Sequence, residues 1–184
     1  HYPLRRQRQM CIRDSFYNGH YLKNNTKPKK GLKTARMLGH ITYLSEEHMD
    51  LRFGRRFQDS ESKVARDVDF EIENYLQYKG EKFSDSFDAN TYILMTKAMD
   101  NFDPSSNKEG DLKKALINIK SKLLIIGFKT DWLFPPKKGK EIQLAAMKAG
   151  INSSFVVLDG KHGHDSFLFM SDRYFKIIRS FLES

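Results

Sequence analysis

Along this chain the spacing of apolar residues changes character near residue 120. Before that point they recur three and four residues apart, the signature of helices buried on one face. Over 31–47, Leu32, Ala35, Leu38, Gly39, Thr42 and Tyr43 line up with Arg36 on a helical face. A second helix is predicted from Ser45 through His48, Met49, Leu51 and Phe53 to a stop at Gly54. The stretch 70–78 reads as a short amphipathic helix ended by Gly80, and Asp88 as the cap of a helix through Tyr92, Leu94, Met95, Ala98 and Met99. A polar loop, PSSNKEG, separates it from one more helix over 112–119.

After residue 120 the pattern becomes unbroken apolar runs of strand length. KLLIIG at 122–127 and the run over 154–158 predict two strands of the kind buried in parallel sheets. Between them a helix over 136–149 closes at Gly150, and a last helix covers 172–183. Helices first and β-α-β-α last imply an α/β fold: a helical insertion, then the end of a parallel sheet built as a right-handed crossover.

The remaining segments have no usable period. Residues 1–15, HYPLRRQRQMCIRDS, read as an artefactual leader, with a native basic arm as the alternative. Residues 16–33 form a polar loop, and 58–67 a flexible, charged connection.

Charge changes this picture little. The chain has 184 residues and a net charge of +9. Its Lys and Arg lie in the leader, near residue 30 and in pairs beside Glu and Asp on helices, without zinc-ligand spacing, aromatic strand or helix-turn-helix pattern. A solvated Lys-rich surface is the reading, not a nucleic-acid partner. No apolar run has transmembrane length, so no membrane partner is expected. One cysteine, Cys11, excludes an internal disulfide framework and fits a cytoplasmic location.

The chemistry sits past the two strands, where open α/β sheets collect catalytic groups. The first strand runs into Phe128-Lys129-Thr130-Asp131-Trp132, and the second into Asp159-Gly160-Lys161-His162-Gly163-His164-Asp165. An acid after one strand and a histidine after the next follow the chain order Ser…Asp…His of a hydrolase triad. No G-x-S-x-G occurs, so the chain reads as the back half of an enzyme.

Those two loops, together with many shorter strings, resemble the homoserine O-acetyltransferase family of the α/β-hydrolase superfamily, C-terminal half only. The strings include Phe16-Tyr17-Asn18-Gly19-His20-Tyr21, His40-Ile41-Thr42-Tyr43-Leu44-Ser45-Glu46-Glu47, Phe87-Asp88-Ala89-Asn90, Asp131-Trp132-Leu133-Phe134-Pro135-Pro136 and Gly163-His164-Asp165-Ser166-Phe167-Leu168. Each alone is weak; their order and spacing carry the likeness. The resemblance divides the chain into an artefactual 1–15, a loop and core helix over 16–39, a helical lid over 40–115 and the closing βαβα part of the hydrolase core over 116–184. It implies acetyl transfer from acetyl-CoA to L-homoserine for methionine synthesis, by a ping-pong route through a serine absent here. Acetyl-CoA would be a co-substrate, with no permanently bound cofactor and no metal. A homodimer through the lid is implied, and this chain alone would be inactive. The alternatives are succinyl transfer, serine as acceptor, or a plain esterase.

The same resemblance assigns residues. His164 is the general base, its rival His162 being left as a surface residue. Asp131 orients the imidazole; by itself it reads equally as a turn or capping aspartate. Arg36, with Tyr43 lining the same pocket, would clamp the substrate carboxylate, against a surface Arg–Glu pair and a core tyrosine. Asp165 would meet the substrate amine or cap the short helix holding Phe167. Trp132, Leu133 and Phe134 read as packing for the acid loop, and Lys137, Lys138 and Lys140 as a solvated helix end.

Overall fold

A computed structural model describes residues 15–57, 70–169 and 171–184. The expectations for the leader over 1–14 and for a connection over 58–67 lie outside the described residues. Those described fall into two units: residues within His1–Thr42 and Asp50–Phe102 form a helical one, and Tyr43–Met49 with Asp103–Ser184 a second.

The helical unit is built from α1 (Lys29–Tyr43), the end of α2 (Glu46–Arg52), α3 (Glu71–Ser86) and α4 (Ala89–Asn101). Tyr21, Leu32, Ala35, Ala89 and Ile93 are its buried core, with Phe16, Phe83 and Tyr92 packed around them. Asp88 caps α4 as the sequence implied, accepting from the Thr91 N–H at 2.7 Å, and its other oxygen takes the buried Tyr21 hydroxyl. Gly80 does not end a helix. It lies inside α3, where an added Cβ would stand 2.7 Å from Lys33 Cγ and 2.9 Å from the Lys33 carbonyl. The glycine is there for close approach of α1 and α3, a constraint that mimics a stop signal in the sequence.

Half-buried His40 on α1 has its Nε2 enclosed with no hydrogen-bond partner among the described residues, and its ring meets Tyr75 edge-on. Burial first, then the nearby charges of Arg36, Lys79 and Arg52, push its pKa down to about 4.

The second unit continues with α5 (Leu112–Leu116), β1 (Leu123–Phe128), α6 (Pro136–Lys148), β2 (Ser153–Leu158) and α7 (Asp172–Glu183). β1 and β2 pair in parallel, with Ile125 opposite Phe155 and Phe128 opposite Leu158. Ile125 and Phe155 meet Gly139 of α6. Leu124, Ser154 and Val156, one residue out of phase, line an open groove of about 380 Å³ with Arg173, Ile177 and Phe181 of α7. The period of two thus sends alternate side chains to the two covering helices. The strands are less buried than their composition predicts: every residue of β1 is half-exposed, and in β2 only Leu158 is buried. A parallel strand is buried fully when strands flank both edges and helices close both faces. Among the described residues the sheet has two strands, so each has one unpaired edge.

Candidate active site

Past Phe128 the Lys129 N–H donates to the Leu158 carbonyl at 3.0 Å, and the chain then turns, with the Asp131 N–H returning to the Phe128 carbonyl at 3.1 Å. That turn carries the Asp131 carboxylate inward, where it is 6% exposed. One oxygen accepts the Phe134 N–H at 2.8 Å, and the other meets His164 Nδ1 at 2.9 Å. One carboxylate oxygen thus serves the turn and the other contacts the histidine. A carboxylate only accepts, so Nδ1–H is the donor of this contact.

His164 is the second residue of a short 3₁₀ helix, Gly163–Leu168. Its ring lies among Phe134 at 5.0 Å and Tyr43 and Phe167, each at 5.7 Å between centroids. Gly163, at φ 65°, could not bear a side chain: a Cβ would fall 2.5 Å from the Tyr43 carbonyl oxygen and 2.7 Å from the Ser45 nitrogen. The segment Tyr43–Met49 is thereby laid directly on the histidine loop. The Ser45 hydroxyl donates to the Lys161 carbonyl, the Trp132 indole N–H to the Leu44 carbonyl at 3.2 Å, and Lys161 pairs with Glu47 at 3.2 Å.

Of the residues singled out in the sequence, Asp131, His164 and Tyr43 come together in this unit. Asp165 adjoins them in the first turn of the 3₁₀ helix, half-buried; that helix is capped at His162, so Asp165 is not its cap. Arg36 belongs to the helical unit. Among the described residues no carboxylate is paired with it; its guanidinium lies 5.1 Å over the Phe83 ring. His162 is no free surface residue. It is half-buried, its Nδ1 2.7 Å from that of His48, with its ring stacked on Phe169 at 3.8 Å. Trp132 and Phe134 are both exposed rather than packed, the indole N–H of the one bonding the Leu44 carbonyl and the ring of the other facing His164, and Lys138 pairs with Glu141 on the exposed start of α6.

Sequence reasoning missed three hydroxyls that organise the loops: Ser45, Thr130 and Ser166. Ser166 donates to the Gly163 carbonyl at 2.8 Å and accepts the His162 N–H at 3.1 Å. Nothing in a single sequence separates such a serine from a solvated one, because its partners are backbone atoms of any residue type. Among the described residues no three His, Cys, Asp or Glu side chains gather as metal ligands, and no helix is long and apolar enough to cross a membrane.

A buried acid and a histidine on loops after consecutive parallel strands define part of an α/β-hydrolase fold. Solved structures agree: a crystallised esterase superposes with a TM-score of 0.80 over 98% of this chain and 50% of its own, at 24% identity. Homoserine O-acetyltransferase from Bacillus anthracis does so with a TM-score of 0.75 over 89% of this chain and 43% of its own, at 21% identity. No family model matches. Among curated proteins, the homoserine O-succinyltransferase of Litchfieldella anticariensis is 48% identical over 91% of this chain and 43% of its own length. That of Marinomonas sp. is 46% identical over 95% of this chain and 46% of its own. The chain is thus homologous to the homoserine O-acyltransferases over nearly all its residues, and spans about half the length of the curated relatives it matches.

Proposed function

We propose that this chain supplies the acid and base of a homoserine O-acyltransferase, with succinyl-CoA as the favoured donor. The observation carrying the reading is the 2.9 Å contact between Asp131 and His164 in a chain homologous to such enzymes. The sequence alone suggested acetyl transfer; its curated relatives, homoserine O-succinyltransferases, favour the succinyl alternative instead.

In this reading the His164 Nε2 lone pair takes the proton of a serine hydroxyl as that serine attacks the thioester carbonyl, and CoA leaves as the thiol. The same nitrogen then takes the proton of the homoserine hydroxyl as its oxygen attacks the acyl-serine, and returns it to the serine oxygen as the bond from that oxygen to the acyl carbon breaks. Asp131 fixes the Nδ1–H tautomer and stabilises the transient imidazolium. Arg36 and Tyr43 are assigned to the substrate carboxylate and its pocket, and Asp165 to its ammonium. The serine is not within these 184 residues, which contain no G-x-S-x-G, so the polypeptide alone is expected to be inactive.

The test is to assay the complete gene product with succinyl-CoA and acetyl-CoA, each with homoserine and with serine. Succinyl transfer to homoserine is expected to dominate; hydrolysis of simple esters without transfer to homoserine would overturn the reading. The esterase alternative uses the same pair without a zwitterion clamp, so Arg36→Ala should cripple acyl transfer yet spare ester hydrolysis only if transfer is the native task.

A further inference from the structure

We propose that Thr130 is a positioning residue for the Asp131–His164 pair, setting the height of the histidine loop while its neighbour engages the imidazole; this rests on the reading of that pair as catalytic. The Thr130 hydroxyl donates to the Gly160 carbonyl and accepts the Gly163 N–H at 3.1 Å. One side chain thus brackets both ends of the turn that leads into the 3₁₀ helix bearing His164. Its covalent neighbour Asp131 reaches the ring of that histidine at 2.9 Å. Two adjacent residues therefore hold the opposing loop at two levels, backbone and imidazole.

The division of labour follows from geometry. A single hydrogen bond to Nδ1 fixes one distance but leaves the loop free to slide and the ring free to tilt. Two further bonds to backbone atoms on either side of residues 161 and 162 remove that freedom without touching the imidazole. The turn has little room to adjust otherwise. An added Cβ on Gly160 would stand 2.4 Å from the Ser166 hydroxyl, and one on Gly163 would strike the Tyr43 carbonyl. Ser166 closes the turn from inside through Gly163 and His162, while Thr130 ties it to the acid loop. Reacting groups misplaced by an ångström lose rate even when every one of them is present, which is why such a clamp matters to chemistry.

Two NMR readouts on the chain test this: the hydrogen-exchange rate of the Gly163 amide, and the low-field resonance of His164 Nδ1–H. Thr130→Val keeps the shape and removes the hydroxyl; Thr130→Ser restores the hydroxyl, and Thr130→Ala stands in should valine not fold. The expected result is Gly163 exchange faster by about 10-fold or more, with the His164 resonance lost or moved upfield, in Thr130→Val and not in Thr130→Ser. Unchanged Gly163 protection overturns the proposal. So does lost protection with an unmoved His164 resonance, an outcome that leaves the acid–base pair standing. A His164 resonance that is missing from the unsubstituted chain, or is unaffected by Asp131→Asn, overturns the pair itself and the proposal with it.

Discussion

Long-range polar contacts in the helical unit lie mostly at its surface: Lys29 to Asp85 and Lys33 to Glu81, both at 2.6 Å, Lys27 to the Asp85 carbonyl at 2.6 Å and Asn90 to the Gly19 carbonyl at 3.0 Å, with Tyr21 to Asp88 partly buried. Around the two loops of the second unit several are partly buried, joining Asp131 to His164 and His48 to His162 and also tying side chains to backbone. Ser45 reaches the Lys161 carbonyl, Thr130 the Gly160 carbonyl, and Trp132 that of Leu44. A pair of exposed charged side chains stabilises packing weakly and tolerates motion. A side chain bonded to backbone fixes where a loop runs, whatever residues the loop carries. The surface pairs of the helical unit leave its packing to an apolar core, whereas the partly buried contacts of the second unit place two loops against each other.

The sharpest way to break that contrast is at the pair itself. In a complete enzyme carrying this chain, Asp131→Asn should lower kcat by about 10³–10⁴-fold, because the imidazole loses its tautomer, while the fold persists. Steady-state kinetics beside circular dichroism checks this, and a loss under 10-fold would remove placement from the account. Next in size is the packing side. Leu32 is fully buried, so Leu32→Ala should cost about 2–5 kcal/mol in urea denaturation. A value below 1 kcal/mol would mean that the helical core is not what holds that unit.

Gly163→Ala should cost about 1–3 kcal/mol, since it adds strain at φ 65° to a collision with backbone atoms that cannot swing away. The smallest effect concerns pH. His40 has its pKa lowered from 6.5 to about 4, so the unfolded chain binds the proton more readily than the folded one. Its contribution is full above pH 6.5 and is lost as pH falls toward 4. Discounted for partial exposure, this is about 1–2 kcal/mol. Stability curves of the wild type and His40→Gln should converge or cross in that window; parallel curves would exclude His40 as a source.

Much of this architecture was legible because it follows from periods. Two apolar runs, a helix between them and a change of spacing near residue 120 were enough to set β1, α6, β2 and α7 within a residue or so of where they lie. Asp131 and His164 could be picked because each follows a strand, a position with chemical meaning. What escaped was whatever depends on an unrelated stretch of backbone. Gly80 looked like a stop because close approach to Lys33 cannot be read from its own neighbours. His162 looked exposed because its partner, His48, lies more than a hundred residues away. The acyl donor escaped for a further reason: no residue singled out here contacts the acyl group in the proposed scheme.

Trp132 gives the chain a built-in optical reporter. It is the one tryptophan in the sequence, it follows Asp131 directly, and its exposed indole is tethered to the Leu44 carbonyl. Emission from this protein under indole-selective excitation is therefore a signal from the acid loop, with no contribution from the helical unit. A titration with homoserine or an acyl-CoA that shifts that emission would register an event at the loop itself, and melting curves followed by it would describe the loop before they describe the fold.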